Sequence, residues 1–389
     1  MKEKKGIGNI EECISEYREK GREKGSKRIV KGLMIVMMMV VMGCNSGGVA
    51  GGEGAAGGGG SGAKSLSEVL LEVGRSAGDA FYSFLELVSG SLGFSVTKET
   101  KKEDVGKYFN SLGEKIGVAS EELEKVAVKV SADVDKEGLL NKGIREAVDA
   151  AKITLSTLRG CVESLAKIGD SEKVGDAASN AQGTTPADDE LKKAFKAFQG
   201  VVEIAKKEGV LEPEVGNTAV KVGNNGTDNK DGVKILATVV GNKPGNQDAV
   251  KAAAILTTVS GSEMLASIVK SNEGDAVLGG SAPDAQTTAM SFAKGGTTGN
   301  NLAQNVTLKA AAVAGGIALR SLVKTGKLAS GAEDGSAGGK EEVQRVGVSA
   351  VNKLLVAVEE IIKKTVKNVL EKVKQEVDKA REPKASGKQ

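Results

Sequence analysis

Two long apolar seams, one near each end of the chain, constrain the fold more than any other feature. Leu66, Leu70, Val73, Ala77, Phe81, Phe84, Val88 and Leu92 follow one another in steps of four or three residues. Val351, Leu355, Val358, Ile362, Val366, Val369, Val373 and Val377 repeat the same order of steps, with charged residues on the remaining faces. A spacing near 3.67 residues per turn keeps an apolar stripe on one side of a long, nearly straight helix. Ser65 and Glu68 form a capping box at the start of the first. The two stripes predict a first and a last helix packed side by side.

Shorter stripes lie between them. Residues 103–118 carry Val105, Phe109, Leu112 and Ile116, and residues 121–136 carry Leu123, Val126, Val130 and Val134. Residues 143–168 carry Ile144, Val148, Ala151, Leu155, Leu158, Val162 and Leu165 in a heptad-like seam. Thr185 is expected to cap a further helix, with Pro186 at its first position and Leu191, Phe195, Phe198 and Val202 on its apolar face. Strict alternation of apolar and polar residues is nearly absent. The reading is an all-α, elongated helical domain.

The texture changes over 209–340. Short helices rich in Ala, Val and Leu are expected at 233–240, 248–270, 286–294 and 306–328. They alternate with loops of Gly, Asn, Asp, Thr and Ser at 223–232, 241–247, 279–283, 295–301 and 331–339. Such turn chemistry tolerates substitution because little packing depends on it. Lys251-Ala-Ala-Ala returns at Lys309, and Ser267-Ile-Val-Lys returns at Ser321 as Ser-Leu-Val-Lys, a weak internal echo.

Composition bears on function more than on fold. The 389 residues include no His, so His-based triads and imidazole metal ligands are excluded. No Trp and 3% aromatic residues leave few rings for stacking on bases or sugars. A chain so poor in catalytic side chains is expected not to be an enzyme, and no catalytic, cofactor-binding or metal site is assigned. Asn229 and Asp231 before Gly232 suggest a calcium loop, but its twelfth position would be Thr238, where a bidentate Glu is required. The loops at Gly52, Gly54, Gly57 and Gly57, Gly59, Gly62 match a dinucleotide fingerprint but follow no strand.

The N-terminus sets the expected destination. Basic residues Lys24, Lys27, Arg28 and Lys31 precede ten uncharged apolar residues, 33–42. About 20 are needed to span a bilayer as a helix, so the run is too short for a span and reads as the core of a secretory signal. A buried core helix is the other reading, against which stand its uniform apolarity and the Gly-rich polar sequence that follows. Val41-Met42-Gly43-Cys44 resembles a bacterial lipobox, although Met42 is bulkier than the small residue usual there. That resemblance implies cleavage before Cys44, a diacylglycerol on its thiol and an acyl chain, palmitoyl, on its new amine. Three chains at about 0.8 kcal/mol per buried methylene amount to a permanent anchor.

Residues 1–43 carry ten basic and six acidic side chains, so the remainder holds 44 basic against 45 acidic. The basic balance belongs to the precursor and points to no nucleic-acid partner. Ten glycines among residues 45–64 describe a flexible tether with a reach of about 25 Å. With Cys13 in the signal and Cys44 acylated, Cys161 is left alone and no intramolecular disulfide can form. It is expected on an apolar helical face beside Leu158, Val162 and Leu165, with an intermolecular bridge as the alternative. The Lys/Glu mixture of 359–384 reads as a solvated helix face, with a clamp on lipid headgroups as the alternative.

Several segments together resemble a known family. The lipobox, the Gly-rich tether, FYSFLELVSGSLGFSVTKETKKEDVGKYFNSLGEKI at 81–116 and VNKLLVAVEEIIKKTVKNVLEKVKQEVDKAR at 351–381 look like the variable large proteins of relapsing-fever Borrelia. LKAAAVAGGIALRSLVKTGKLA at 308–329 is similar to a helix of the related Lyme antigen VlsE. The resemblance implies a lipid-anchored surface protein of the outer membrane, swapped variant by variant to evade host antibody. Its helices would place both termini toward the membrane and its variable loops outward. The implied organisation is a signal over 1–43, lipidated Cys44 and tether over 44–64, an N-terminal helical region over 65–208, variable-type helices and loops over 209–340, and a C-terminal helix with polar tail over 341–389. The partners implied are outer-membrane lipid and host antibodies. An adhesin binding a host surface factor is the alternative, and Phe292 and Arg320 are the only anchor-type side chains its distal region offers.

Overall fold

The structure, a computed structural model, describes residues 93–132, 139–220, 228–241, 243–331 and 339–381, with Arg75 and Gly78 as isolated helical positions. The signal, Cys44, the tether and every residue of the first seam lie outside the described residues, and so does the expected pairing of first and last helices. Nine α-helices are described: α1 (Lys102–Ala132), α2 (Leu139–Leu165), α3 (Asp188–Lys207), α4 (Asn246–Thr257), α5 (Gly261–Val269), α6 (Ala289–Lys294), α7 (Gly299–Leu302), α8 (Ala310–Leu322) and α9 (Lys340–Arg381). A 3-10 turn at Lys230–Leu236 lies between α3 and α4. Among the described residues there is no strand, only isolated bridges such as Ala177 to Leu328 and Thr184 to Lys327.

The α1 and α2 helices pack as an antiparallel pair. Val105, Phe109, Leu112, Ile116, Leu123 and Val126 of α1 and Ile144, Val148, Leu155, Leu158, Val162 and Leu165 of α2 are all buried, as their spacing requires. The two stripes expected at 103–118 and 121–136 form one helix, because nothing between them stops it. The backbones approach closely at Gly106, where an added Cβ would lie 2.5 Å from the Ala166 carbonyl oxygen.

The last seam is buried along its whole length from Val351 to Val377. Leu354, Ile361 and Leu370 are buried too, which widens the stripe beyond one face. The width has a physical cause, since α2, α3, α4, α5 and α8 all pack against α9. At 1.5 Å per residue the helix is about 63 Å long, enough to reach all five. Chain preceding α1 also lies on it: the Val96 N–H donates to Asn352 Oδ1 (2.7 Å) and Asn352 Nδ2 donates back to the Val96 carbonyl (2.9 Å).

All thirteen residues of α8 are buried. An apolar helix without a polar face fits only inside a layer of others. Gly316 is where it meets α6, and a Cβ there would come within 2.5 Å of Phe292 Cβ. Beyond α8 the chain turns at exposed Lys324 and Thr325 and then runs inward, with Leu328, Ala329 and Ser330 buried. The Lys324 N–H donates to the Ile168 carbonyl (2.8 Å), Leu328 to Asp176 (2.9 Å) and Ala329 to Ile235 (2.8 Å).

Several expected boundaries move. The helix expected at 248–270 is two helices bent by 91°. Ser260 causes the break by accepting from the Glu263 N–H while Glu263 reaches back to the Ser260 N–H. The helix expected at 233–240 is the 3-10 turn, which ends where Thr238 and Val239 donate to the Thr297 carbonyl. The 286–294 helix begins after Thr288, whose hydroxyl accepts from the Ser291 N–H. The loop expected at 295–301 contains the single turn α7, capped by Thr298. Thr185 does not cap α3, which starts after Ala187, so Pro186 lies outside the helix. The Thr185 hydroxyl is spent elsewhere, donating to the Lys294 carbonyl (2.9 Å).

Candidate functional site

The surface with functional potential is the set of loops joining the 3-10 turn, α4, α5, α6, α7 and α8. Val239, Val240, Asn272, Ala276, Val277, Gln304 and Thr307 are exposed on it. The loops are ordered by short-range turn bonds. Asp275 accepts from the Asn272 N–H (2.9 Å) and from the Thr288 hydroxyl (2.6 Å), while Asp284 accepts from the Gln286 N–H (2.8 Å). Asp231, a candidate calcium ligand in the sequence, is paired instead with Lys234 and Lys251. Those two cations hold its carboxyl below the usual range despite partial burial, which works the other way.

Beneath the loops lie cations turned onto main-chain carbonyls, Arg320 and Lys294 buried and Lys353 half-buried, with Lys102 buried at the start of α1. Arg320 of α8 is completely buried. Its guanidinium donates to the carbonyls of Leu236 (2.7 Å), Phe292 (2.8 Å) and Ala293 (2.9 Å). These are end carbonyls of the 3-10 turn and of α6, groups that lack helical partners and carry partial negative charge. Burial pushes the Arg320 pKa down to about 9, which still leaves it charged at neutral pH. Lys353 of α9 donates to the carbonyls of Leu256 (2.6 Å) and Val259 (2.8 Å), at the end of α4. Lys294 donates to the Asp275 carbonyl (2.6 Å) and lies 3.7 Å from Asp188. Lys102, fully buried at the start of α1, donates to the carbonyls of Val323 (2.9 Å) and Gly326 (2.7 Å). Burial lowers its pKa, opposed by Asp170, Asp176 and Glu172.

Phe292 and Arg320, the two side chains that an adhesive surface would need, are both wholly buried. Cys161 is half-buried, and α3 reaches it at Gly200, where a Cβ would stand 2.6 Å from its sulfur. Burial and then Glu203 push its thiol pKa up, which keeps it protonated and slow to react. The Lys/Glu face of α9 is solvated and self-paired, for example Lys374 with Asp378 (2.6 Å) and Lys367 with Glu371 (3.5 Å). Cys44 lies outside the described residues. Among the described residues no helix is long and apolar enough to cross a membrane alone, and no acidic or thiol cluster is arranged to hold a metal.

The helical body with its buried α8 has known counterparts. A model of the Borrelia lipoprotein family matches residues 77–377. The chain belongs to that family. Within it, Variable large protein 21 of Borrelia hermsii is 60% identical over 325 residues, covering 84% of this chain and 87% of that protein. Variable large protein 25 of the same organism is 59% identical over 324 residues, covering 83% and 87%. The crystal structure of the Lyme disease variable surface antigen VlsE of Borrelia burgdorferi matches with a TM-score of 0.59 at 22% identity, covering 80% of this chain and 98% of that one. At that identity the likeness speaks for the fold alone, and it agrees with the all-α reading. The chain is thus similar in sequence to the variable large proteins and VlsE-like in fold.

Proposed function

We propose that this chain is a surface lipoprotein of the outer membrane that serves as an exchangeable antigen and acts by display, without catalysis. The signal over 1–43 would be removed, and Cys44 would carry the diacylglycerol and palmitoyl chains that hold the body to the membrane. The observation that carries the reading is the division of α8 from the loops around it. The helix is buried on every side. The loops that precede it in the chain expose Val239, Val240, Ala276, Val277, Gln304 and Thr307. Antibody would then meet the loops first, and changing them would leave the interior untouched. The names of the relatives 58–60% identical support variation. The adhesin alternative loses support because its two candidate anchors face the core.

The test is a non-penetrating protease applied to intact cells, followed by a blot for the protein beside a periplasmic control. Loss of the full-length band with the control intact is expected, and a protected band overturns surface display. Labelled palmitate should be incorporated by the parent and not by Cys44→Ala.

A further inference from the structure

We infer that the helical framework holds the loops through their main chain rather than their side chains, with Arg320, Lys294 and Lys353 as the holding groups, so that loop sequence can change while loop position is kept. The inference goes beyond the antigen reading. It concerns the fold alone, and its test uses purified protein, so either can fail without the other.

Arg320 and Lys294 are buried, and Lys353 is half-buried. A charge taken out of water normally needs an opposite charge or several good acceptors. A carboxylate partner in a loop would tie the fold to that one residue. Arg320 instead uses three carbonyls, those of Leu236, Phe292 and Ala293, at the ends from which two loops depart. Lys353 uses two, Leu256 and Val259, at the corner between α4 and α5. Lys294 uses the Asp275 carbonyl in the loop between α5 and α6, and the carboxylate near it, Asp188 at 3.7 Å, belongs to α3 and not to a loop. Every residue offers a carbonyl, whatever its side chain. A substitution in the loop therefore removes nothing that these cations hold.

Uncharged residues of α9 follow the same rule. Gln344 donates to the Lys98 carbonyl (2.9 Å), Asn352 to Val96 (2.9 Å) and Asn368 to Glu208 (2.9 Å). The contrast within the loops is informative. Asp248 caps the Gly245 N–H (3.0 Å) through its side chain, and Asp275 caps Asn272 in the same way. Those aspartates are where exchange should be restricted, and the exposed residues between them are where it should be free.

The test uses the purified full chain. In one variant the exposed residues Val239, Val240, Ala276, Val277, Gln304 and Thr307 are replaced together by Ser or Asn. The thermal midpoint should stay within about 3 °C of the parent. Two further variants, Lys294→Met and Lys353→Met, are followed by amide hydrogen exchange. Each should speed exchange by about tenfold or more in the segment its cation holds, 274–278 for the first and 258–262 for the second, and leave the other segment unchanged. Collapse of the loop variant with all three cations present would overturn the inference. So would unchanged exchange at both segments in the lysine variants.

Discussion

The Tyr108 hydroxyl of α1 donates a 2.5 Å hydrogen bond to Glu359 Oε1 of α9, across 251 residues of sequence. The other carboxylate oxygen accepts from the Gly93 N–H at 3.1 Å, and Phe94 stacks on the Tyr108 ring with centroids 4.7 Å apart. One buried carboxylate thus joins α1, α9 and the segment that leads in from the N-terminal side. Burial, then the bond to Glu359, raises the Tyr108 pKa far above its ordinary value, so the phenol remains the donor.

The pH dependence follows from the direction of the Glu359 shift. Burial raises its pKa above the ordinary 4.5, against the opposing effects of Tyr108 and Gly93. In the window from 4.5 up to the raised value the native state holds a proton that the unfolded chain has lost. Stability contributed by this group is therefore full below 4.5 and falls as pH rises through the window. Glu359→Gln removes the titration and keeps an acceptor for Tyr108. Urea unfolding of the two proteins between pH 4 and 8 should show the parent losing ground to the variant as pH rises, then a constant difference. A parent that gained on the variant with rising pH would mean that the carboxylate is net favourable where it lies.

Ser321 offers a substitution expected to stabilise. Its hydroxyl is the one buried side-chain polar atom without a hydrogen-bond partner among the described residues. A buried unpaired hydroxyl costs about 1–3 kcal/mol. Ser321→Ala should raise the unfolding free energy by about 1 kcal/mol, after allowance for the small void left behind. Chemical denaturation checks it, and a loss of stability would show that the hydroxyl is satisfied in solution.

Gly316 marks the closest approach of α8 to α6. A side chain there would meet Phe292 Cβ at 2.5 Å and the Ala289 carbonyl oxygen at 3.2 Å, both on backbone-near atoms that cannot swing aside. Gly316→Val should cost about 3 kcal/mol or more, since overpacking a tight core forces helices apart. Gly160, whose Cβ position has nothing within 4 Å, is the control, and Gly160→Ala should be neutral or mildly stabilising through helix propensity.

How much of this was legible in the sequence depends on how local the cause is. The α9 seam, the α1 and α2 stripes and the face of α3 follow from periodicity, and every core residue named from them whose side chain is described is buried or nearly so. The bend at Ser260 was legible and missed: Ser260 and Glu263 have the same capping-box spacing as Ser65 and Glu68, but the apolar run continues across them. The 3-10 turn, the stretch after α8 and the Tyr108–Glu359 bond are set by tertiary contacts, and no local pattern encodes them. Arg320 lay between. A single Arg near the end of an otherwise apolar run is the signal of a buried, backbone-bound cation, yet the same residue also reads as an exposed anchor.

Arg320 therefore carries the sharpest prediction. Its three bonds run to carbonyls on two different elements, Leu236 on one side and Phe292 and Ala293 on the other. A planar guanidinium spans such a set with donors in a fixed fork, whereas an ammonium is a point donor that reaches fewer acceptors at once. Arg320→Met leaves the three carbonyls buried without a donor, at about 1–3 kcal/mol each, offset in part because no cation has to be desolvated. A net loss of about 3 kcal/mol is expected. Arg320→Lys should recover only part of it, because Leu236 and the α6 end cannot both be served. Guanidinium-chloride unfolding of the three proteins gives the order parent, Lys, Met. A Met variant as stable as the parent would show that the carbonyls find other donors and that the cation is dispensable to the loops.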